Sequence, residues 1–350
     1  MGNTKPRSTR IRVAQIGVGY WGPNLLRNLL ENSRFEVCLV CDASAERRAF
    51  VKETHPDLRL AADAGEALRD PGIDAVVIAT PAATHAGLVL EALKKGKHVF
   101  VEKPMATSSA DIDAIGAAAR ASGLVAMAGH TFLYNEAVRF VKRLIDDGEL
   151  GEVRYIYGQR LNLGRIRSDV DAMWNLAPHD VSILQYWLND PAPLSVTKHG
   201  MSYVQPDVND VVFLNLVYPD NVMANLHVSW LDPHRVRRMT VVGSRKMAVY
   251  DDAAKDKVVI YDKGIDPMAA VGEDMAFDKM NYEKVYKLRS GEAAIPKILF
   301  REPLKTQMDH FADCILKKTP CLTGPEHARK VVRILEMADA SVFEPAPGAR

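Results

Sequence analysis

Ile11-Arg12-Val13-Ala14-Gln15-Ile16-Gly17-Val18-Gly19-Tyr20-Trp21-Gly22 is the stretch on which the fold turns. A strand-like apolar run ends at Gly17, and a helical pattern opens after Gly22, over Pro23–Glu31. G-x-G-x-x-G in that context has a mechanical reading. The first glycine permits a tight turn, the second lets the backbone approach a pyrophosphate, and the third lets the helix pack on the strand. The helix N-terminus then offers amide donors and the positive end of its dipole to the anion. Asp42 follows Gly22 by twenty residues, at the end of the next apolar run. A carboxylate there accepts bonds from the adenosine ribose hydroxyls and repels a 2′-phosphate, so NAD is expected over NADP. Arg47 and Arg48 lie close by and read as solvated charges on a helix.

The same rhythm continues outward. Strand candidates at Glu36–Cys41, Leu58–Ala61, Ala75–Ala79, His98–Val101 and Leu124–Ala128 alternate with helical patterns at Ala45–Thr54, Ala82–Lys95 and Ser108–Ala121. Continuous apolar cores such as Val76-Val77-Ile78 suit strands covered on both faces, as in a parallel sheet. After His130 the order changes to a helix at Glu136–Asp146, a strand at Val153–Leu161, a helix starting near Pro178, and a series of strands between Ser195 and Tyr261. Turn chemistry such as Tyr218-Pro219-Asp220-Asn221 separates them, which predicts a largely antiparallel sheet. Helices at Pro303–Lys317 and Pro325–Ala340 close the pattern, while Asp266 to Pro296 has no clear period and reads as a long loop or a poorly ordered segment. The expected organisation is a disordered arm (1–10), a doubly wound Rossmann domain (11–129), and a C-terminal α/β domain (130–345) with a large, mostly antiparallel open sheet.

Composition agrees with that class. The chain has 350 residues, 47% hydrophobic and 25% charged, which suits a globular protein of two domains. A net charge of +1 gives no reason to expect a nucleic-acid partner. No apolar run approaches the ~20 residues that span a bilayer, and no secretory segment follows the polar start, so a cytoplasmic protein without membrane contact is expected. Cys38 and Cys41 have C-x-x-C spacing, but they sit in one strand and point to opposite faces. No second such pair completes a zinc site, so two buried structural thiols and no metal are expected.

Glu102-Lys103-Pro104 carries the chemistry, because it follows Val99-Phe100-Val101 where a parallel strand opens into the cofactor crevice. Hydride transfer at a dinucleotide needs a group beside it that moves a proton and polar residues that orient the reacting molecule. In a closed site beside a positively charged ring, a lysine gives up its proton more readily. A second segment, Met173-Trp174-Asn175-Leu176-Ala177-Pro178-His179-Asp180, places Pro178 in an expected first helical turn and His179 at a helix N-terminus. There the dipole favours a neutral imidazole able to accept a proton. Arg160, Arg165 and Arg167 fall within eight residues just before it, and arginine forks suit phosphate or carboxylate.

The fingerprint, Ala79-Thr80-Pro81 with His85, Glu102-Lys103-Pro104 and the late His179-Asp180 together resemble the glucose–fructose oxidoreductase / inositol dehydrogenase / rhizopine-catabolism (Gfo/Idh/MocA) superfamily. The likeness runs from about residue 11 to 340. It implies hydride exchange between NAD and a carbon of a sugar or cyclitol, and a homo-tetramer or homo-dimer formed through the open sheet. It also implies cofactor contacts from Gly17, Gly19, Tyr20, Trp21, Gly22, Asp42, Thr80, Pro81, His85, Glu102, Lys103 and Trp174. Lys103 and His179 are the implied catalytic pair. Tyr134, Arg160, Asn162, Arg165, Arg167, Asn175 and Asp180 join them around the substrate. The inositol dehydrogenase pattern carries an aspartate four residues before the histidine, where this chain has Asn175. An amide orients a hydroxyl but takes no proton, so Lys103 and His179 share the acid–base work. The tryptophan-containing motif, with Gly129-His130-Thr131-Phe132-Leu133-Tyr134-Asn135 and Arg160-Leu161-Asn162-Leu163-Gly164-Arg165, resembles the UDP-N-acetylglucosamine and UDP-N-acetylglucosaminuronate 3-dehydrogenase branch. The expected reaction is oxidation at C3 of a UDP-N-acetylhexosamine. A free-sugar or inositol dehydrogenase and a non-catalytic NAD-binding regulator are the alternatives.

Overall fold

The computed structural model describes residues 10–164, 166–267 and 286–341, so residues 1–9 of the expected arm, and Arg165, lie outside it. Contacts divide the chain into two compact units. The first comprises residues up to Glu136 together with Val181–Ala192 and Phe300–Ser341, and the second comprises Ala137–Asp180 and Pro193–Leu299.

The first unit is a parallel sheet of six strands among the described residues, in the order β3-β2-β1-β4-β5-β6. The strands are β1 (Ile11–Ile16), β2 (Phe35–Cys41), β3 (Leu60–Ala61), β4 (Ala75–Ile78), β5 (His98–Val101) and β6 (Ala126–Ala128). Every β4 residue is fully buried, which is why no alternation marks these strands. Between them run α1 (Gly22–Glu31), α2 (Ala45–Thr54), α3 (Ala64–Arg69), α4 (His85–Lys94) and α5 (Ser109–Ser122). The sequence reading did not include α3: at six residues it is shorter than two turns and shows no period. Two late helices, α8 (Pro303–Leu316) and α9 (Pro325–Ala340), also belong to this unit. Phe311 of α8 meets Phe100 edge-on at 5.9 Å and stacks on Phe35 at 6.2 Å. Glu336 of α9 accepts Ser109 N–H and Oγ–H at 2.7 Å each, at the start of α5.

The cysteine expectation holds in part. Cys41 is buried, and burial pushes its thiol up to about 11. Cys38, on the opposite face of β2, is only half-buried, beside Arg12.

The second unit is a sheet of eight strands among the described residues, in the order β14-β13-β12-β11-β7-β10-β9-β8. Its members are β7 (Val153–Leu161), β8 (Ser195–Met201), β9 (Val211–Tyr218), β10 (Val222–Ser229), β11 (Val236–Gly243), β12 (Met247–Asp251), β13 (Val258–Pro267) and β14 (Tyr286–Ala294). All pairs are antiparallel except β7–β10. The unit also holds most of α6 (Glu136–Asp146) and the first half of α7 (Ala172–Trp187). Burial alternates along β9, so one sheet face is covered. The other carries Phe213, Val217, Met223 and Tyr155, each at least 40% exposed, and the register sets Val217 beside Met223 and Met223 beside Tyr155.

Part of the expected loop from Asp266 to Pro296 is strand, since β13 pairs with β14 from Ile260–Ala294 to Pro267–Tyr286. Ile265 and Leu288, directly paired, are both largely exposed. With neither face consistently buried, this hairpin has no hydrophobic period to read.

Candidate active site

In the first unit, β1 is followed by Gly17 with φ +95°, and a Cβ there would stand 2.5 Å from the carbonyl oxygen of Ala79. Gly22 is equally constrained, its Cβ position lying 2.7 Å from the Gly17 carbonyl oxygen. Gly19 differs: a Cβ on it would meet nothing within 4 Å. That open ground lies ahead of α1, whose first turn carries Pro23 and no acidic side chain, so nothing opposes an anion there. The Tyr20 side chain is 84% exposed. A dinucleotide fits this cradle.

Gln15 escaped the sequence reading. It is fully buried, and its Nε2 donates to the carbonyl oxygens of Gly17 and Gly22 at 2.9 Å each, holding the loop's two ends together. The available signal was a polar residue between Ala14 and Ile16, at a position of the strand that is buried.

At the end of β2, Asp42 Oδ2 accepts Val18 N–H at 2.7 Å and Oδ1 accepts Ser44 N–H at 2.9 Å. Arg48 Nη1 donates to the carbonyl oxygens of Asp42 and Ala43 at 2.7 and 2.9 Å, which ties its charge to the backbone. Arg47 is exposed.

The loops after β4 and β5 are joined by His85. Its Nε2 lies 2.8 Å from the Thr80 carbonyl oxygen and its Nδ1 lies 2.7 Å from that of Pro104. Burial pushes this histidine toward the neutral form, which has a single N–H for two carbonyls. Both ring nitrogens thus face the protein: His85 braces Lys103-Pro104, a cis peptide, and is not presented to a ligand. Pro81 is exposed, and Thr80 Oγ1 meets Thr84 Oγ1 at 2.7 Å.

Lys103 is half-buried at the carboxyl end of β5. The preceding Glu102 carboxylate accepts Lys103 N–H at 3.3 Å, and Trp21 of the glycine loop lies near it. Burial pushes that carboxyl up to about 7, against the pull of the adjacent Lys103 charge. Gly129 lets the groups come close, since a Cβ there would lie 3.0 Å from Glu102 Oε2. Tyr134, expected at the substrate, is fully buried, with its hydroxyl 3.1 Å from Thr323 Oγ1.

In the second unit, the expected helix start near Pro178 is corrected. α7 begins at Ala172, and Asp171 Oδ1 caps it by accepting Trp174 N–H at 2.8 Å. Asp171 Oδ2 in turn pairs with Lys198 at 3.0 Å. Pro178 lies inside the helix, where it forgoes one backbone bond. His179 therefore stands mid-helix, and the dipole argument for its neutrality does not apply. The imidazole is half-buried, as are Trp174 and Asn175. Asn175 Oδ1 accepts the indole N–H of Trp230 at 3.3 Å, a partner that no sequence spacing pointed to.

Next to His179, Asp180 is buried and receives a fork from buried Arg160. Nε reaches both carboxylate oxygens at 3.1 Å, and Nη2 reaches Oδ1 at 2.6 Å. Tyr250 donates to Asp252 at 3.2 Å near this pair, and burial pushes its phenol up. Arg160 and Asp180 are thus spent on each other. Arg167 pairs with Asp169, its Nε at 2.8 Å, but both are exposed, so an anionic ligand could exchange for that partner at little cost. Asn162 is half-buried.

Comparison with known proteins places this geometry. Residues 11–130 match the oxidoreductase family with an NAD-binding Rossmann fold, and residues 138–249 match the GFO/IDH/MocA C-terminal domain. The chain belongs to the Gfo/Idh/MocA oxidoreductase family. It is 36% identical over 268 residues to a protein of Amycolatopsis mediterranei provisionally named the UDP-kanosamine synthase oxidoreductase subunit (66% of this chain, 72% of that one). It is 27% identical over 331 residues to scyllo-inositol 2-dehydrogenase (NAD(+)) of Bacillus subtilis (90% of this chain, 89% of that one). Two other curated relatives are matched over only 58% and 60% of their length. In fold it is similar to the solved UDP-N-acetylglucosamine 3-dehydrogenase of Acidithiobacillus ferrooxidans, with TM-score 0.76, 23% identity, and 95% and 98% of the two chains covered.

As a Gfo/Idh/MocA protein the chain takes NAD, and Asp42 sets an expectation about the phosphorylated form. NADH should bind at least about tenfold more tightly than NADPH, equivalent to ~1.4 kcal/mol. Asp42→Asn, which removes the charge, should shrink that ratio. Fluorescence titration of both dinucleotides reads it, and equal affinity in the wild type would remove Asp42 from this role.

Proposed function

We propose that the protein is an NAD-dependent dehydrogenase that oxidises a ring secondary alcohol of a sugar, most specifically C3 of a UDP-N-acetylhexosamine. The observation that carries the reading is Lys103, half-buried at the carboxyl end of β5, in a loop that His85 joins to the loop after β4. Bound NAD supplies the hydride acceptor. Gly17, Gly19 and Gly22 shape the pyrophosphate cradle, and Asp42 holds the ribose. The Lys103 amine hydrogen-bonds the alcohol oxygen and takes its proton as the carbinol hydrogen leaves as hydride, so the alcohol loses H⁻ and H⁺ and becomes a ketone. His179 serves as the second proton acceptor, held in orientation by the Arg160–Asp180 pair beside it. Asn175, fixed by Trp230, orients a substrate hydroxyl. Arg167 and Asn162 bind the diphosphate or uronate end.

The Met173–Asp180 motif and the 36% relative support the nucleotide-sugar reading. The B. subtilis relative, aligned over 90% of this chain, supports the second reading, a free cyclitol or sugar. NADH formation against UDP-sugars, free sugars and inositols separates the two. The expected result is turnover with a UDP-N-acetylhexosamine and not with inositols. Tight NAD binding with no turnover on any member would replace both with a regulator.

The exposed stripe of Phe213, Val217, Met223 and Tyr155 supports a homo-oligomer through the open sheet face. Among the described residues no helix is long and apolar enough to cross a membrane. Sedimentation of the purified protein should show a dimer or tetramer that Met223→Lys weakens. A monomer at micromolar concentration would end this part of the reading.

A further inference from the structure

Apart from the cofactor loops, the first unit holds a second cluster of reactive side chains. α8 carries His310 and Cys314 one turn apart on one face. The chain then reverses and brings Cys321 to the same place. His310 Nε2 and Cys314 Sγ are 3.4 Å apart, and these two atoms and Cys321 Sγ all lie within 4.8 Å of one another. Cys314 is buried, while His310 and Cys321 are half-buried, so the cluster has a dry back and an accessible side.

Three features go beyond proximity. First, the donor set is one nitrogen and two sulfurs. Metal–ligand bonds of ~2.0–2.3 Å put neighbouring donors of a tetrahedral zinc ion roughly 3.5 Å apart, so the cluster closes onto an ion with small shifts. Second, His310 is held in the ligating tautomer. Its Nε2 accepts Leu322 N–H at 3.0 Å and therefore carries a lone pair rather than a proton. Third, backbone amides of the loop surround the cluster, with Leu322 N–H on the imidazole and Thr323 N–H near the Cys321 thiol. Such amides are the outer-shell donors that coordinating thiolates use. The Tyr134 ring lies 5.4 Å from that of His310, and its hydroxyl reaches Thr323 Oγ1, which anchors the loop from the other side.

We propose that His310, Cys314 and Cys321 form a site for a soft divalent cation, Zn²⁺ in the first instance, with a fourth position open to water. The ion takes the lone pair that now faces Leu322 N–H, which frees that amide for a thiolate. Two thiolates neutralise the ion's charge, and the ion pins the turn after α8 to the helix.

The test uses the full chain, reduced, freed of metal with a chelator, and titrated with Zn²⁺ or with Co²⁺ as a spectroscopic stand-in. Cys314→Ala, Cys321→Ala and the double variant are run beside it, with NADH binding as the control for folding. The wild type should take up one ion per chain and develop the visible bands of tetrahedral Co²⁺ with a thiolate charge-transfer band. Each single variant should bind at least ~100-fold more weakly, since changes to outer-shell partners alone cost ~10–100-fold. Equal metal uptake by the wild type and a double variant that still binds NADH overturns the proposal. So does an intact mass two hydrogens light before reduction with no metal uptake after it, which identifies a disulfide pair instead.

Discussion

Lys103→Met is expected to lower kcat/KM for the sugar by about 10³-fold, the usual worth of a positioned acid–base group. The loss should fall mainly on kcat, because the lysine acts on the proton that moves in the transition state. NADH affinity should change by no more than a few-fold, since Gly17, Gly22 and Gln15 build the cradle without it. Steady-state rates, with a separate NADH titration, give both readouts. Activity within tenfold of wild type would remove Lys103 from the proton transfer and leave the role to His179.

Asp180→Ala is expected to cost ~3–5 kcal/mol of stability, because it strands the Arg160 guanidinium in the interior. The same charge buried without a partner is far more costly than the pair, so Asp180→Ala/Arg160→Met should recover much of the loss. Denaturant unfolding of the three proteins measures this. A double variant no more stable than Asp180→Ala would mean that the pair is not isolated from solvent as its geometry indicates. If the pair also orients His179, the double variant should stay slow even where it is stable, which separates positioning from folding.

The legible parts of this protein follow from local rules. The strand–glycine–helix fingerprint could be read because each glycine answers a steric demand within a few residues, as the Cβ positions at Gly17 and Gly22 show. The buried parallel strands were legible from their uninterrupted apolar cores. What misled was a rule used without its neighbours. Pro178 favours a first helical turn, yet Asp171 caps the helix earlier and leaves Pro178 and His179 inside it. The β13–β14 pair was not legible because its apolar residues Ile265 and Leu288 stay exposed and mark no buried face.

Sequence by itself determined the fold class, the glycine cradle, the position of Asp42 and the candidate lysine, since short-range chain geometry and periodicity dictate all four. Tertiary structure alone decided the partners. His85 spans two loops, Trp21 meets Glu102, Arg160 is consumed by Asp180, and Cys314 and Cys321 converge with His310. Each of these depends on the direction of a side chain across elements, and spacing along the chain carries no record of that direction.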